Sequence, residues 1–334
     1  MSHKTLAALA LTVAVAALPA GAQDPVGIRT ATLAPEGSTW MNLLQEMAAE
    51  VKEKTGGKVE FAFYPGGVAG DEKLVVKKLR IGQLHAAGFT ALGIGEILPE
   101  VRILDIPFLY RNHDETDRIR ELLQPRFEAA LEEKGYVVLG WSDTGAVYLF
   151  SAVQIRNLKD IRARKVWVWE GDPVAEATFR AAGVGPIPLA FPDVMTSLQT
   201  GLVDTVYISP LGAIALQWFS KVKTFTDMPI LDSLGVMVVS RKTWAKIAPE
   251  VQVTVLEITR RWSRKLVGLT RKENDDSVKV LQEKGLELVK PDASMRGEFD
   301  RIAAQVGREL TGKLYSQEML DEVIAALATL RAGK

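Results

Sequence analysis

Short apolar runs alternate along the chain between the two-residue spacing of strands and the three- to four-residue spacing of helices. Val26 to Leu33 is a β-rich run. Ser38 then stands where a helix N-cap is expected, and apolar residues from Trp40 to Val51 recur at helical spacing. The same order repeats with a strand over 58–64 and a helix over 71–81. Alternation in such short units predicts an α/β fold, with a parallel or mixed sheet covered by helices.

The middle of the chain continues this pattern. Helices are predicted over 173–182 and 194–200. The β-rich runs predict five further strands, at Val137–Trp141, Val147–Val153, Lys165–Trp169, Val203–Ile208 and Leu234–Ser240.

A long helix is predicted after Pro249. Apolar residues from Val251 onward step by three and four, and Gly268 is the one glycine in this stretch. The pattern predicts a single helix of roughly 35 residues, against an average of about 11 to 12. Two helices joined near Gly268 are the alternative.

The first 22 residues have the pattern of a secretory signal peptide. Lys4 gives a positive start, Thr5 to Leu18 is apolar, and Pro19 to Ala22 offers small residues for cleavage after Ala22. A membrane anchor is the alternative, but the apolar run is shorter than the roughly 20 residues that span a bilayer. We therefore expect an exported protein of the bacterial periplasm.

Charge and cysteine content exclude several functions. The 334 residues include 41 basic and 41 acidic side chains, so the formal net charge is zero and no nucleic-acid partner is expected. The sequence contains no cysteine, which excludes disulfides, thiolate zinc sites and cysteine nucleophiles. We expect a soluble protein of one or two domains that has neither a metal nor a cofactor.

No catalytic motif is present. After the signal peptide the only histidines are His85 and His113, and a structural role is predicted for both. Gly93-Ile94-Gly95 begins like a dinucleotide-binding loop, but Leu98 and Pro99 do not continue that motif. The chain is therefore not predicted to be an enzyme.

Two tryptophans give the clearest indication of a binding site. Trp167 and Trp169 are two residues apart in a predicted strand, so both point to one face of the sheet. The strand ends directly after them, and ligands of α/β sheets bind outside the carboxyl ends of strands. The pair could line a cleft, with its rings as walls and its N–H groups as donors. Packing in the core between sheet and helix is the alternative.

Four segments together resemble the DctP-type substrate-binding proteins of TRAP transporters. The strongest is Pro188–Asp204, PLAFPDVMTSLQTGLVD, which is similar to the family signature P-x-x-x-S-E-V-Y-x-A-L-Q-x-G-x-V-D-G. The others are Tyr64–Glu72, Leu79–Leu84 and Ile106–Tyr110, and the long helix after Pro249 is also typical of the family.

The resemblance implies a two-lobed, periplasmic-binding-protein-like α/β fold, with a ligand cleft between the lobes and a long helix spanning both. It implies a solute-binding protein that closes on a small molecule and presents it to membrane permease subunits, in transport driven by an ion gradient. We place lobe I at 23–146 with 235–275 and lobe II at 147–234 with 276–330. Strands near 147–150 and 234–237 would form the hinge. A monomer is expected, and a dimer stays open.

The sequence departs from the family where the ligand is held. Most members have an arginine that binds the ligand carboxylate in the strand Lys165–Trp169, and here Trp167 occupies that position. Val147 stands at the place of a second family arginine. A charge-assisted hydrogen bond of this kind contributes roughly 1.5 to 3 kcal/mol. The departure therefore favours an uncharged, hydrophobic or aromatic ligand, or a cation over the indoles with Glu170 as its counter-charge.

The residues predicted to contact the ligand combine apolar walls with a few polar groups. They are Trp167, Trp169, Phe191, Phe89, Leu33 and Val147 as walls, and Thr90, Glu170, Tyr207 and Ser209 as polar groups. One alternative is an ordinary organic-acid-binding protein that holds its anion with Arg29, Arg80 or Lys165. Another is a periplasmic ligand or lipid carrier that works without a permease.

Overall fold

The computed structural model describes residues 24–333. The predicted signal peptide, residues 1–22, lies outside this range. None of the helices within residues 24–333 combines the length and the hydropathy that crossing a membrane requires.

The chain alternates strands and helices throughout. The strands are β1 (Val26–Ala31), β2 (Val59–Tyr64), β3 (Ala86–Thr90), β4 (Tyr136–Ser151), β5 (Trp167–Trp169), β6 (Ile187–Leu189), β7 (Thr205–Ile208), β8 (Thr224–Thr226), β9 (Leu231–Ser240) and β10 (Glu287–Val289). The helices are α1 (Thr39–Lys54), α2 (Glu72–Arg80), α3 (Ala91–Gly95), α4 (His113–Glu133), α5 (Leu158–Arg162), α6 (Pro173–Ala181), α7 (Val194–Thr200), α8 (Pro210–Ala215), α9 (Arg241–Trp244), α10 (Pro249–Glu283), α11 (Ala293–Glu309) and α12 (Gln317–Ala332). A 3-10 segment, Pro99–Asp105, follows α3.

The predicted start of α1 is confirmed. The Ser38 hydroxyl accepts a hydrogen bond from the Met41 backbone N–H, which satisfies one of the free donors of the first turn. Met41, Met47 and Val51 are buried on one face of the helix. Burial of this apolar stripe against the sheet, rather than propensity alone, stabilises the helix.

Two groups of strands share the long strand β4. In the first, β2, β1, β3 and β9 lie side by side, and β9 pairs with residues 136–147 of β4. In the second, residues 148–151 of β4 pair with β7 on one side. On the other side, residues 150–151 pair with β8, which in turn pairs with β10. The parallel pair β5–β6 joins this group through a bridge between Val166 and Thr205. Each group of strands thus forms the centre of one lobe, and β4 runs from one lobe into the other.

The separate strands predicted at Val137–Trp141 and Val147–Val153 are one strand of 16 residues, so that prediction was wrong. The polar segment between them remains paired with β9, with register shifts between Val138 and Gly140 and between Asp143 and Gly145. Such bulges interrupt the alternation of side chains without ending the strand. The broken alternation is why the sequence pattern indicated two strands.

The predicted long helix is confirmed as α10, a single helix of 35 residues. At about 1.5 Å per residue it is roughly 50 Å long, enough to contact both lobes. It packs against α1 in the first lobe and α8 in the second, and it lies along β4 between them. The alternative of two helices joined at Gly268 is excluded, because the helix is continuous through that residue.

Glycine in β4 allows α10 to lie close to the strand. A Cβ atom at Gly140 would lie 2.0 Å from Ser263 Oγ and 2.8 Å from Ser263 Cβ. Beside it, the Thr259 hydroxyl donates a 2.8 Å hydrogen bond to the Leu139 carbonyl. Farther along, Gly145 has a positive φ of 98° and faces Asn274. The backbone of β4 therefore lies in direct contact with α10.

Replacing Gly140 with alanine should destabilise the protein by about 1 to 3 kcal/mol, because the added methyl group overpacks the contact with Ser263. Gly268→Ala is the matched control. A Cβ atom there meets open space, and alanine in an exposed helix interior should add about 0.5 to 1 kcal/mol. Urea unfolding measures both changes, and equal effects of the two substitutions would contradict the close-contact account.

Candidate functional site

A cavity of about 250 Å³ lies where the two groups of strands meet. It is bordered by residues of β3, β4, β5, β7 and β9, of the helices α1, α6 and α10, and of the loops between them. Nine of the ten residues predicted from the sequence line it. These are Leu33, Phe89, Thr90, Val147, Trp167, Trp169, Phe191, Tyr207 and Ser209.

Four aromatic rings form one wall of the cavity, and we call them the aromatic wall: Trp167, Trp169, Phe191 and Tyr207. Trp167 stacks on Tyr207 with ring centroids 4.9 Å apart, and Trp169 stacks on Phe191 at 4.8 Å. The two indoles are 6.1 Å apart and lie on the same side of β5. Ring pairs at these distances are favourable beyond the area that they bury.

The protein itself satisfies the indole N–H groups. Trp167 Nε1 donates to the Leu189 carbonyl at 3.1 Å, and Trp169 Nε1 donates to Asp71 Oδ2 at 2.8 Å. Trp167 is 1% exposed and belongs to the core cluster of the second lobe. It is therefore both a core residue and a border of the cavity. The two indoles therefore offer apolar ring surface rather than hydrogen-bond donors.

Glu170 is the predicted site residue that the structure does not bring to the cavity. It is exposed and is not among the lining residues. Its backbone N–H bonds to the Leu189 carbonyl, and the chain then turns at Gly171, which has a positive φ of 68°. The Glu170 side chain therefore lies outside the cavity. The prediction that it supplies a counter-charge for the ligand was wrong.

A buried carboxylate that the sequence analysis missed lies at the start of α2. Glu72 is 2% exposed and lines the cavity. Its oxygens accept hydrogen bonds from Thr90 N at 2.6 Å, Thr90 Oγ1 at 2.7 Å and Gly93 N at 2.8 Å. Burial raises the pKa of Glu72 to about 7, although these donors favour the ionised form.

Arg102 is the second buried group that sequence analysis missed. It is 3% exposed, and it is the only lysine or arginine among the cavity-lining residues of the described chain. Its Nη2 lies 2.7 Å from Asp172 Oδ1, and its Nε lies 3.3 Å from Asp105 Oδ2. Although burial disfavours the charged form, these two carboxylates keep the pKa of Arg102 above its ordinary value. Its charge is therefore already neutralised within the protein.

The glycines of Gly93-Ile94-Gly95 make room for these charges. A Cβ atom at Gly93 would lie 2.8 Å from the Glu72 carboxylate, and one at Gly95 would lie 2.7 Å from the Arg102 Cδ. The motif that resembles the start of a dinucleotide-binding loop thus serves to pack two buried charged side chains against α3.

The three basic residues considered for an anion lie elsewhere. Arg29 donates to the carbonyls of Gly82 and Gln83, Arg80 to that of Glu96, and Lys165 to that of Gly201. None of the three lines the cavity. Across residues 24–333, no group of three histidine, aspartate or glutamate side chains is placed to hold a metal ion.

Comparison with known proteins identifies related sequences. Residues 30–313 match the family described as bacterial extracellular solute-binding protein, family 7, or DctP. A solute-binding protein of Chromohalobacter salexigens is 33% identical over 163 residues, so the alignment spans about half of each chain, 48%. One of Verminephrobacter eiseniae is 26% identical over 294 residues, 85% of this chain and 84% of that one.

Solved structures of similar shape confirm the two-lobed fold. A TRAP periplasmic solute-binding protein of Pseudomonas putida F1 with bound D-glucuronate has a TM-score of 0.81 at 25% identity, covering 90% of this chain and 97% of that one. A TRAP periplasmic solute-binding protein of Ralstonia eutropha H16 with bound (S)-2-acetolactate has a TM-score of 0.85 at 20% identity, covering 91% and 99%. At that identity the second likeness concerns the fold alone.

Glu72→Gln should change how stability depends on pH. The folded pKa of about 7 lies above the unfolded value of 4.5, so the folded state holds a proton that the unfolded state has lost between these values. Wild-type stability should therefore fall, relative to the variant, by up to about 3 kcal/mol as pH rises from 4.5 to 7. Urea unfolding at several pH values measures the difference, and a constant difference would contradict the raised pKa.

Arg102→Met should destabilise the protein by about 3 kcal/mol near pH 8, because Asp172 and Asp105 would remain buried without their cation. Burial raises the pKa of Asp105 to about 6, so the loss should be smaller at pH 5, where protonation removes that charge. Arg126→Met is the control. Arg126 is exposed and lies 3.8 Å from Glu322, so its loss should cost at most about 0.5 kcal/mol in thermal unfolding. Equal losses for both variants would contradict a buried charge cluster.

Proposed function

Because this chain belongs to family 7 of the bacterial extracellular solute-binding proteins, we propose that it is the periplasmic receptor of a TRAP-type transporter. It binds a small molecule in the cavity beside the aromatic wall and delivers it to membrane permease subunits. No chemical step is needed for this role. The export signal predicted for residues 1–22 agrees with a periplasmic location.

The ligand that the cavity fits best is uncharged and largely apolar. The feature that carries this proposal is Trp167, which lines the cavity at the position where the family resemblance implies a carboxylate-binding arginine. The one lining cation, Arg102, is already paired with two carboxylates. A ligand carboxylate would enter without a free cation to receive it, and burying an unpaired charge is costly.

An organic acid is the alternative ligand, because two solved relatives hold one. The Pseudomonas putida and Ralstonia eutropha proteins hold D-glucuronate and (S)-2-acetolactate. An organic acid in this cavity would have to bind Arg102 beside Asp172 and Asp105, since Arg29, Arg80 and Lys165 lie outside it. A third carboxylate would then share one guanidinium, so repulsion between like charges and the cost of burial would oppose its binding.

The size of the cavity limits the ligand. An apolar cavity of about 150 Å³ holds benzene, so about 250 Å³ suits a substituted aromatic or aliphatic molecule of roughly ten to twelve non-hydrogen atoms. Closure of the lobes around such a molecule would bend β4 and β9 near 147–150 and 234–237. We place lobe I at 23–146 with 235–275 and lobe II at 147–234 with 276–330.

Calorimetric titration tests the ligand class directly. The neutral aromatic alcohol 3-phenylpropanol should bind wild-type protein more tightly than succinate or D-glucuronate. Phe191→Ala, which removes one ring of the wall, should weaken binding of the alcohol about tenfold, the equivalent of about 1.4 kcal/mol. Phe61→Ala is the matched control, since Phe61 is a half-buried residue of β2 outside the cavity. The Phe61→Ala variant should bind 3-phenylpropanol as tightly as wild-type protein does.

Tighter binding of either organic acid than of the alcohol would overturn the proposed ligand class and would favour an ordinary organic-acid receptor. Delivery is tested separately, by reconstituting the protein with its permease subunits in vesicles. Uptake of bound ligand should require an ion gradient and no ATP, and binding without uptake would indicate a carrier that works alone.

A further inference from the structure

A group of side-chain hydroxyls lies in the same cavity, apart from the aromatic wall. We call them the hydroxyl cluster: Ser142 and Thr144 on β4, Ser233 on β9, and Ser263 on α10. All of them line the cavity and are half-buried. Ser142 lies opposite Gly235 in the antiparallel pair, and Ser233 lies opposite Gly145. Because residues two apart on a strand share a face, Ser142 and Ser233 point to the same side of the sheet.

Ser263 of α10 completes the cluster from the helix that packs on the sheet. Ser263 lies over Gly140, two residues before Ser142 on β4. Its neighbour one turn along α10, Leu266, also lines the cavity, as do Trp40 and Leu44 of α1. The hydroxyls thus lie within an otherwise apolar part of the cavity, between the sheet and the helices α1 and α10.

These hydroxyls have no hydrogen-bond partner among residues 24–333. They are half-buried and line the cavity, so their hydrogen bonds are open to water or to a ligand. Other hydroxyls that border the cavity are engaged: Thr90 donates to Glu72, Thr178 to the Val174 carbonyl, and Thr226 to the Ile155 carbonyl. The hydroxyl cluster therefore differs from these other lining hydroxyls in having its donors and acceptors free.

We propose that the hydroxyl cluster is a second subsite, which binds an uncharged oxygen-bearing group, a hydroxyl or an amide, at one end of the ligand. The proposal rests on the proposed function, because the ligand's apolar body must lie against the aromatic wall of the same cavity. Serine and threonine each donate one hydrogen bond and accept others. They match a group that does both, which an alcohol or an amide does and a hydrocarbon does not.

The charges around the cluster favour a neutral group over an anion. Asp143, between Ser142 and Thr144 in sequence, bonds through Oδ2 to Arg271, and Arg271 also binds both oxygens of Asp117. These charges are thus paired with one another. A ligand carboxylate would find hydroxyl donors but no free cation, whereas a ligand ammonium could still reach Glu72, which lines the same cavity without a cation partner. A neutral group requires no charged partner.

Four ligands with the same three-carbon phenyl body separate these possibilities: propylbenzene, 3-phenylpropanol, 3-phenylpropionate and 3-phenylpropylamine. Binding of propylbenzene reports the aromatic wall, and the additional affinity of the alcohol reports the hydroxyl cluster. By titration calorimetry, wild-type protein should bind the alcohol at least tenfold more tightly than the hydrocarbon, the anion or the cation.

The double substitution Ser142→Ala/Ser233→Ala tests the cluster itself. Neither hydroxyl supports another residue, so the variant should unfold at the wild-type temperature. Its affinity for 3-phenylpropanol should fall about tenfold, and its affinity for propylbenzene should not change. Ser220→Ala is the control, since Ser220 is exposed and lies outside the cavity, and it should bind all four ligands as wild type does.

Each outcome distinguishes the subsite from the proposed function. Equal affinity for the alcohol and the hydrocarbon, or an unchanged affinity for the alcohol in the double variant, would overturn the subsite and leave the apolar receptor intact. Tightest binding of the anion would overturn the proposed ligand class and the subsite with it. No binding of any of the four at millimolar concentration would overturn both.

Discussion

The close contact between β4 and α10 is the constraint on which the rest of the structure depends. One strand of 16 residues serves the sheets of both lobes, and one helix of 35 residues lies along it. Gly140 and Gly145 make the contact possible, and Asn274 reinforces it by bonding the Ala146 carbonyl and the Leu211 N–H. Both lobes therefore share these two elements, and the cavity lies where the two groups of strands meet.

The sequence predicted most of the fold because its signals are local. The N-cap at Ser38 and the apolar stripe of α10 depend on residues within a few turns of one another, and both are confirmed. The resemblance to DctP-type proteins is confirmed by the family match over residues 30–313. The continuity of β4 could not be predicted in the same way, because bulges at Leu139 and Thr144 break the alternation on which strand prediction relies.

The residues of the candidate site also differ in whether the sequence could predict them. Apolar lining residues such as Phe89 and Trp167 were predicted, because a ring at the end of a strand can be placed from spacing alone. The buried charges of Glu72 and Arg102 were not, since Thr90 lies 18 residues from Glu72 and Asp172 lies 70 residues from Arg102. One local signal was present: Arg102 and Asp105 are opposite charges within an otherwise apolar run, which is typical of a buried ion pair.

These buried charges explain how an apolar cavity can occur in a fold whose solved relatives hold acids. A charged group that is already paired within the protein offers little to an incoming ion, whose own burial without a partner is costly. Arg102 is paired with Asp172 and Asp105, and Glu72 accepts three hydrogen bonds from Thr90 and Gly93. On the proposed function, an incoming carboxylate would share one guanidinium with two carboxylates of the protein, at a cost that grows with burial, whereas a neutral ligand would not. The proposal thus assigns selectivity against anions to the paired charges and attraction of the ligand to the rings.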